Sequence, residues 1–393
     1  MTTKATNKAG HVVRRMYMIP LFDLRRQYSE LREDVLKTVD EVLSDGQVIL
    51  GPKVEQFESA LCAYLNVNYS IGVANGSDAL VIALQSLGIE KGEKVITTPY
   101  TFFATASCIV RNGGVPVFVD VDPNTYNIDL NQVERVLKNE KIRVLIPVHL
   151  FGQTVDFEGL LFLKEKFGVK ILEDAAQSIG SEGKARNIVS KSGTFGDIGI
   201  FSFFPTKNLG AYGDAGAIAT NDDTLAEKAR SLRQHGSREK YFHETVGYNS
   251  RLDALQAAIL SIKIKYLDSW IERRIEIARL YQSLFEKYEL PLKYTKVQDK
   301  GYRYHVFHQY VVEFRNNSER EMVRKHLNES KIGTAIYYPL PLHLQKCFKE
   351  YGYKEGDLPI SENLSKTTLA LPMFPELKND EIEQVVNTIR EVF

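Results

Sequence analysis

The sequence predicts an α/β fold: a mixed, mostly parallel sheet flanked by helices, with a smaller C-terminal α+β domain behind it. Two observations carry this. Short apolar runs at 70–74, 94–97, 115–119, 144–148 and 169–172 alternate with segments of helical periodicity, the pattern of parallel βαβ units. Small, polar or reactive residues recur just past the C-terminal ends of those runs, where open α/β sheets bind their ligands.

A chain of 393 residues is long enough for one large domain and a smaller one. Its 50 basic and 50 acidic side chains cancel, which argues against a nucleic-acid or membrane-surface partner. Cys62, Cys108 and Cys347 are isolated, without the spacing of a disulfide framework or a zinc site. No metal centre is expected, and the thiols fit a reducing cytoplasm. No apolar run reaches membrane-spanning length. Residues 1–18, which include Lys4, Lys8, Arg14 and Arg15 and no acid, read as a flexible basic tail rather than a secretory signal.

The elements follow in order. Residues 21–44 carry Tyr28, Leu31, Val35, Val39 and Val42 at helical spacing, and Ser44-Asp45-Gly46 ends that helix. A second helix covers 53–65. This opening arm is expected to wrap either the main domain or a partner subunit. The strand at 70–74 runs into Asn75-Gly76-Ser77-Asp78 and a helix from Ala79. Strand, glycine turn and helix together aim free N–H groups and a helix dipole at one place, as anion sites do. An ordinary capped helix is the plainer alternative. The strand at 169–172 ends at Glu173-Asp174. Asp174 either meets a ligand in a buried position or caps a following helix. Residues 252–268 are apolar at helical spacing, and a long helix continues from Trp270 to Tyr288. The domain change is placed near Lys263, which divides the chain into 1–18, 19–262 and 263–393.

The stretch from Ile198 to Thr220 organises the rest. A buried strand is expected to end at Pro205, which has no N–H for the ladder. Lys207 stands on the turn that follows, with Gly210, Gly213 and Gly216 beyond it. A lysine held there out of water is a candidate nucleophile toward a carbonyl, because desolvation favours the neutral amine. The alternative is a solvated lysine on a surface turn. The glycine spacing is not the dinucleotide pattern G-x-G-x-x-G.

Five segments in this order resemble one family: Ala74 to Leu80, Thr101 to Ala106, Glu173 to Gln177, Ser202 to Gly216, and Gly247 to Asp253. From about Ile19 onward the chain resembles the DegT/DnrJ/StrS family of nucleotide-sugar aminotransferases. The resemblance implies the fold-type-I architecture and pyridoxal 5'-phosphate as cofactor. It makes 19–262 the cofactor-binding domain with its N-terminal arm, and 263–393 the small domain.

Residue by residue, Lys207 would carry the cofactor and shuttle a proton. Asp174 would pair with the pyridine nitrogen. Gln177 would sit near the ring hydroxyl, and Phe102 would stack on the ring. Gly76, Ser77 and Ser202 would hold the phosphate. Asn249 would reach the phosphate of a neighbouring subunit, implying a homodimer with shared sites. His149, His308, Tyr338 and His343 would face the sugar.

The implied reaction moves an amino group from L-glutamate, which leaves as 2-oxoglutarate, to a keto-sugar carried on a nucleoside diphosphate. Residues 47–51 and 203–210 look more like members acting on 3-keto than on 4-keto sugars. A dehydratase branch has histidine in place of the lysine, which Lys207 argues against. A regulatory protein on the same fold predicts loss of Lys207 or Asp174. A decarboxylase or lyase acting on amino acids would want an arginine for the carboxylate. Arg303, Arg315, Arg320 and Arg324 are present in the small domain, without a context that assigns one.

Overall fold

The computed structural model describes residues 18–239 and 241–393, together with two short strands at Ala5–Thr6 and Val12–Val13. The basic tail otherwise lies outside the described residues. No described helix is long and apolar enough to cross a membrane.

The large unit is built on seven strands: β1 (Tyr69–Val73), β2 (Lys94–Thr97), β3 (Val115–Phe118), β4 (Val144–Leu145), β5 (Lys170–Asp174), β6 (Ile198–Ser202) and β7 (Gly216–Thr220). Their order across the sheet is β1-β7-β6-β5-β4-β2-β3. From β6 to β3 the pairing is parallel; β7 runs antiparallel to both β6 and β1. Ile71, Ile96, Leu145, Ile171, Leu172, Ile200 and Ile218 are all buried, as strands covered on both faces require.

Helices cover the two faces. They are α1 (Leu24–Asp45), α2 (Pro52–Leu65), α3 (Gly76–Ser86), α4 (Ala104–Arg111), α5 (Leu130–Asn139), α6 (Phe157–Phe167), α7 (Asp223–Leu232) and α8 (Ala254–Lys263). Asp129, Asp156 and Asp222 cap α5, α6 and α7 by accepting from backbone N–H groups of the first turn. Gly46 closes α1 at φ 76°, a conformation glycine enters without a Cβ penalty. α2 buries Val54, Phe57, Leu61 and Leu65, each contributing about 1.5–3 kcal/mol.

After a single 3-10 turn at Ile264–Tyr266, α9 (Leu267–Lys287) leads into the C-terminal unit. That unit pairs β8 (Lys293–Tyr294), β9 (Tyr310–Glu313) and β10 (Thr368–Leu371) antiparallel in sequence order, with α10 (Asn317–Glu329), α11 (Pro359–Thr367) and α12 (Asn379–Arg390) against them. The expected continuous helix through Lys263 is thus interrupted. No linker separates the units either: one hydrophobic cluster runs from Ile19 and Phe57 through Leu260 and Ile271 to Ile389.

The arm departs most from expectation. Residues placed with the large domain start on the small one. Ile19 pairs with Ile332, Gly333 N–H donates to Ile19 O at 2.8 Å, and Arg26 donates to Glu381 at 2.7 Å. α1 then returns to pack Leu31 and Val35 against Ile259 and Trp270 of α8 and α9. The first helix therefore straps the two units together.

Candidate active site

β6 ends at Ser202, three residues before Pro205, and the chain turns through residues 203–212. Phe203 is buried in the core, while Phe204 on the opposite side is half exposed. The turn is closed by its own backbone. Lys207 N–H donates to Phe204 O, and Ala211 N–H donates to Phe203 O, each at 2.8 Å. A Cβ on Gly210 would lie 2.4 Å from Pro205 O, so only glycine lets the turn fold this tightly. Lys207 is left largely enclosed by protein, with part of its surface still exposed. Burial lowers its amine to about 8, and the charge of Asp174 opposes that shift.

Asp174 is the last residue of β5 and is buried. Thr105 Oγ1 donates to its Oδ2 at 2.8 Å, and Ala176 N–H donates to its Oδ1 at 3.2 Å. Burial raises its carboxyl, while these two donors, Lys207 and His149 pull the other way. No helix follows Asp174: residues 176–180 form turns, so a helix-capping role is excluded. Three residues on, Gln177 has its orientation set. Phe151 N–H donates to Oε1 at 2.7 Å, which leaves Nε2 to donate to Tyr338 Oη at 2.9 Å. That contact brings the small unit to the same place.

The phosphate-like turn is assembled by the sheet order. β7 lies between β1 and β6, so the end of β6 meets the start of α3. A Cβ on Gly76 would fall 2.6 Å from Ser202 Cβ. A Cβ on Gly216 would fall 2.5 Å from the carbonyl carbon of Asn75. Asn75 caps α3 by accepting from Asp78 N–H at 2.8 Å. Gly76, Ser77 and Ser202 thus surround one helix N-terminus, an arrangement that suits an anion.

Phe102 is 50% exposed on the loop before α4, the helix that supplies Thr105. His308 is buried, and its Nδ1 lies 3.2 Å from Asn208 Oδ1. Asn208 Nδ2 donates to Val306 O, so Oδ1 must accept and His308 Nδ1 carries the proton. Burial, with Lys207 and Arg274 nearby, holds this imidazole well below its ordinary value. Lys207, Asp174, Gln177, Tyr338 and His308 therefore converge. Asn249 does not join them within one chain: it is exposed, while its neighbour Ser250 Oγ accepts from Ala74 N–H at 3.3 Å.

Two of the histidines expected to face the sugar do not. His149 is 0% exposed. Its Nδ1 accepts from Val155 N–H at 3.1 Å and its Nε2 donates to Glu173 at 2.8 Å, leaving no nitrogen for a ligand. His343 is 1% exposed and enclosed against Tyr353, with Nε2 at 3.1 Å from Glu362. Sequence reasoning had no local signal for either partner, since each carboxylate lies about twenty residues away on another element. It also passed over Thr105 in the first turn of α4, whose Oγ1 lies 3.2 Å from Oγ1 of Thr101 on the loop before that helix.

Pyridoxal phosphate can be tested against these residues. Asp174 has two donors and lone pairs to spare for a protonated ring nitrogen. Gly76 and Ser202 meet at the N-terminus of α3, whose free N–H groups suit a phosphate, and an amine of lowered basicity feels the charge of Asp174. The residues fit the cofactor. Fold and site together define an α/β aminotransferase built around one lysine and one aspartate. The chain belongs to the DegT/DnrJ/EryC1/StrS aminotransferase family, whose pattern matches residues 29–390.

Similar proteins agree with this over nearly the whole length. A "pleiotropic regulatory protein" of Geobacillus stearothermophilus is 48% identical, over 95% of this chain and 98% of the relative. A UDP-N-acetyl-3-dehydro-alpha-D-glucosamine 3-aminotransferase of Acidithiobacillus ferrooxidans is 38% identical, over 95% and 97%. The crystal structure of NtdA from Bacillus subtilis with bound cofactor PMP superposes with a TM-score of 0.87 at 30% identity, covering 96% of this chain and 86% of that one.

Proposed function

We propose that this protein transfers an amino group from L-glutamate to the 3-keto carbon of a nucleoside-diphosphate sugar, in 3-aminosugar biosynthesis. Pyridoxal 5'-phosphate is the cofactor; when bound it supplies the electron sink that labilises a proton at the carbon bearing nitrogen. The observation that carries the reading is the pairing of Lys207, its amine lowered to about 8, with the buried Asp174 at neighbouring strand ends. Support for the 3-keto position comes from the 38% identical 3-aminotransferase.

The chain's own residues divide the work. Lys207 Nζ, neutral in a substantial fraction near pH 8, attacks a carbonyl and returns as the base and acid that moves the proton. Asp174, held by Thr105 and Ala176, pairs with the ring nitrogen. Gln177 and Tyr338 orient the ring-hydroxyl edge, and Phe102 covers a face. Gly76, Ser77 and Ser202 hold the phosphate at the start of α3. His308, protonated at Nδ1, offers Nε2 as an acceptor on the substrate side.

Asn249, exposed in the single chain, reaches the phosphate of a second copy in a homodimer with shared sites. The protein works in the cytoplasm, and 19–262 and 263–393 act as cofactor and substrate units. A regulatory role, which the name of the 48% identical relative favours, needs neither Lys207 nor Asp174, and both are present in a formed site. Incubation with L-glutamate and a panel of 3-keto and 4-keto nucleotide sugars tests the assignment. Amination of a 3-keto sugar, lost in Lys207→Ala, is expected; turnover only with 4-keto sugars, or with none, overturns it.

A further inference from the structure

Lys263, the last residue of α8, is 0% exposed. A buried lysine normally has a carboxylate beside it, because an unpaired ammonium is costly to desolvate. Among the described residues no carboxylate is in ion-pair contact with Lys263; burial lowers its amine to about 8, and the charge of Glu376 opposes that shift from farther away. Its Nζ instead donates to the carbonyl of Gly210 at 2.6 Å and sits 4.0 Å from the centre of the Tyr212 ring. Both belong to the turn that carries Lys207. Seven residues earlier on α8, Gln256 Oε1 accepts from Tyr212 N–H at 2.9 Å. One face of α8 therefore grips the far end of the turn at two points.

A favourable charge at a helix C-terminus does not explain the burial. That effect is available to an exposed lysine, and the Nζ here is spent on the turn rather than on its own helix. Arg274 on α9 behaves in parallel. It is buried, and its Nη1 donates to Phe307 O, His308 O and Met373 O at 3.2–3.3 Å. Two buried basic side chains on either side of the helix junction thus hold carbonyls of the segments that carry Lys207 and His308.

We propose that Lys263 is a positioning residue for Lys207. Its Nζ donates to the Gly210 carbonyl and so fixes the turn 203–212 in the geometry that keeps the reactive amine enclosed. The inference rests on the reading of Lys207 as the cofactor-bearing amine. Lys263 touches neither substrate nor cofactor. Without it, the Gly210 carbonyl loses its donor, the turn loosens, and water reaches Lys207.

The test measures Lys207 itself in the full-length, cofactor-free protein. The rate of acylation of Lys207 by an amine-directed reagent is followed by mass spectrometry across pH, with pyridoxal phosphate affinity read by absorbance. In wild type the midpoint lies near 8. Lys263→Met is expected to raise it by at least about one pH unit toward the ordinary lysine value and to weaken cofactor affinity about tenfold or more. Lys263→Gln, which keeps a donor on a shorter stem, is expected to fall between.

If Lys263→Met folds and shows the wild-type midpoint and affinity, Lys263 serves packing alone and the proposal is overturned. If Lys263→Met does not fold, the smaller donor-free Lys263→Ala takes its place, and wild-type values there overturn the proposal equally. Neither result bears on Lys207, whose role fails only if Lys207→Ala retains turnover.

Discussion

Replacing Lys207 by methionine exposes what the site costs the fold. Methionine has nearly the shape of lysine without the charge. In the cofactor-free protein the lysine amine titrates near 8 rather than at its ordinary 10.5, because burial disfavours the ammonium. The folded state therefore binds the proton less tightly than the unfolded chain does. Below pH 8 both states are protonated and wild type bears the full penalty. Between pH 8 and 10.5 the unfolded chain holds more protons, so wild-type stability rises with pH; above 10.5 the penalty is gone. The gap between the two values corresponds, at 1.36 kcal/mol per pH unit, to about 3 kcal/mol, an upper value because part of the Lys207 surface stays exposed.

Lys207→Met should thus be more stable than wild type by about 2–3 kcal/mol at pH 7, with the advantage shrinking to near zero by pH 10.5. Urea unfolding of both proteins at matched concentration, from pH 6.5 to 10.5, measures this. Parallel stability curves, with a difference independent of pH, would mean that Lys207 is hydrated and ordinary, and the reasoning would fall. The same variant should lose at least about 10²–10⁴-fold in turnover, so stability and activity move in opposite directions.

Two further outcomes follow from the packing. Gly76→Ala puts a methyl group 2.6 Å from Ser202 Cβ; it should cost about 1–3 kcal/mol and weaken cofactor binding, and adding Ser202→Gly should recover most of the stability, as unfolding of the double variant would show. Glu173→Ala removes the acceptor of three backbone N–H groups, those of Gly193, Phe195 and Gly196, and of His149 Nε2; a loss of about 3–5 kcal/mol is expected, with the sugar KM of any surviving enzyme unchanged, whereas a raised KM would return His149 to the substrate side.

The motif-bearing turns were legible because their signals are local. Asn75-Gly76, the Pro205-Thr206-Lys207 turn and Asp174 each sit at a strand end that apolar runs of four to five residues mark unambiguously. The end of the first helix at Gly46 was likewise written in its capping residue. The short strand at Val144–Leu145 came out longer in the sequence pattern, because residues 146–148 are apolar for packing and make only a separate bridge, Val148 to Asp174. The histidines misled for a related reason. His149 follows a strand just as a ligand residue would, but Glu173 and Val155 close around both of its nitrogens.

By itself, then, the sequence determined the alternation of strands and helices, the chemistry placed at each strand end, and the presence of both the amine and the carboxylate that transamination needs. These depend on periodicity and turn chemistry within a few residues. Only the tertiary structure decided that β7 inserts antiparallel between β1 and β6, bringing Gly76 against Ser202, and that the first helix straps the small unit to the large. It also decided that Lys263 and Arg274 donate to carbonyls of the segments that carry Lys207 and His308. Those outcomes join residues from 33 to 355 positions apart. Burial of shared apolar surface and satisfaction of enclosed polar groups select them, and neither quantity exists until the chain has closed on itself.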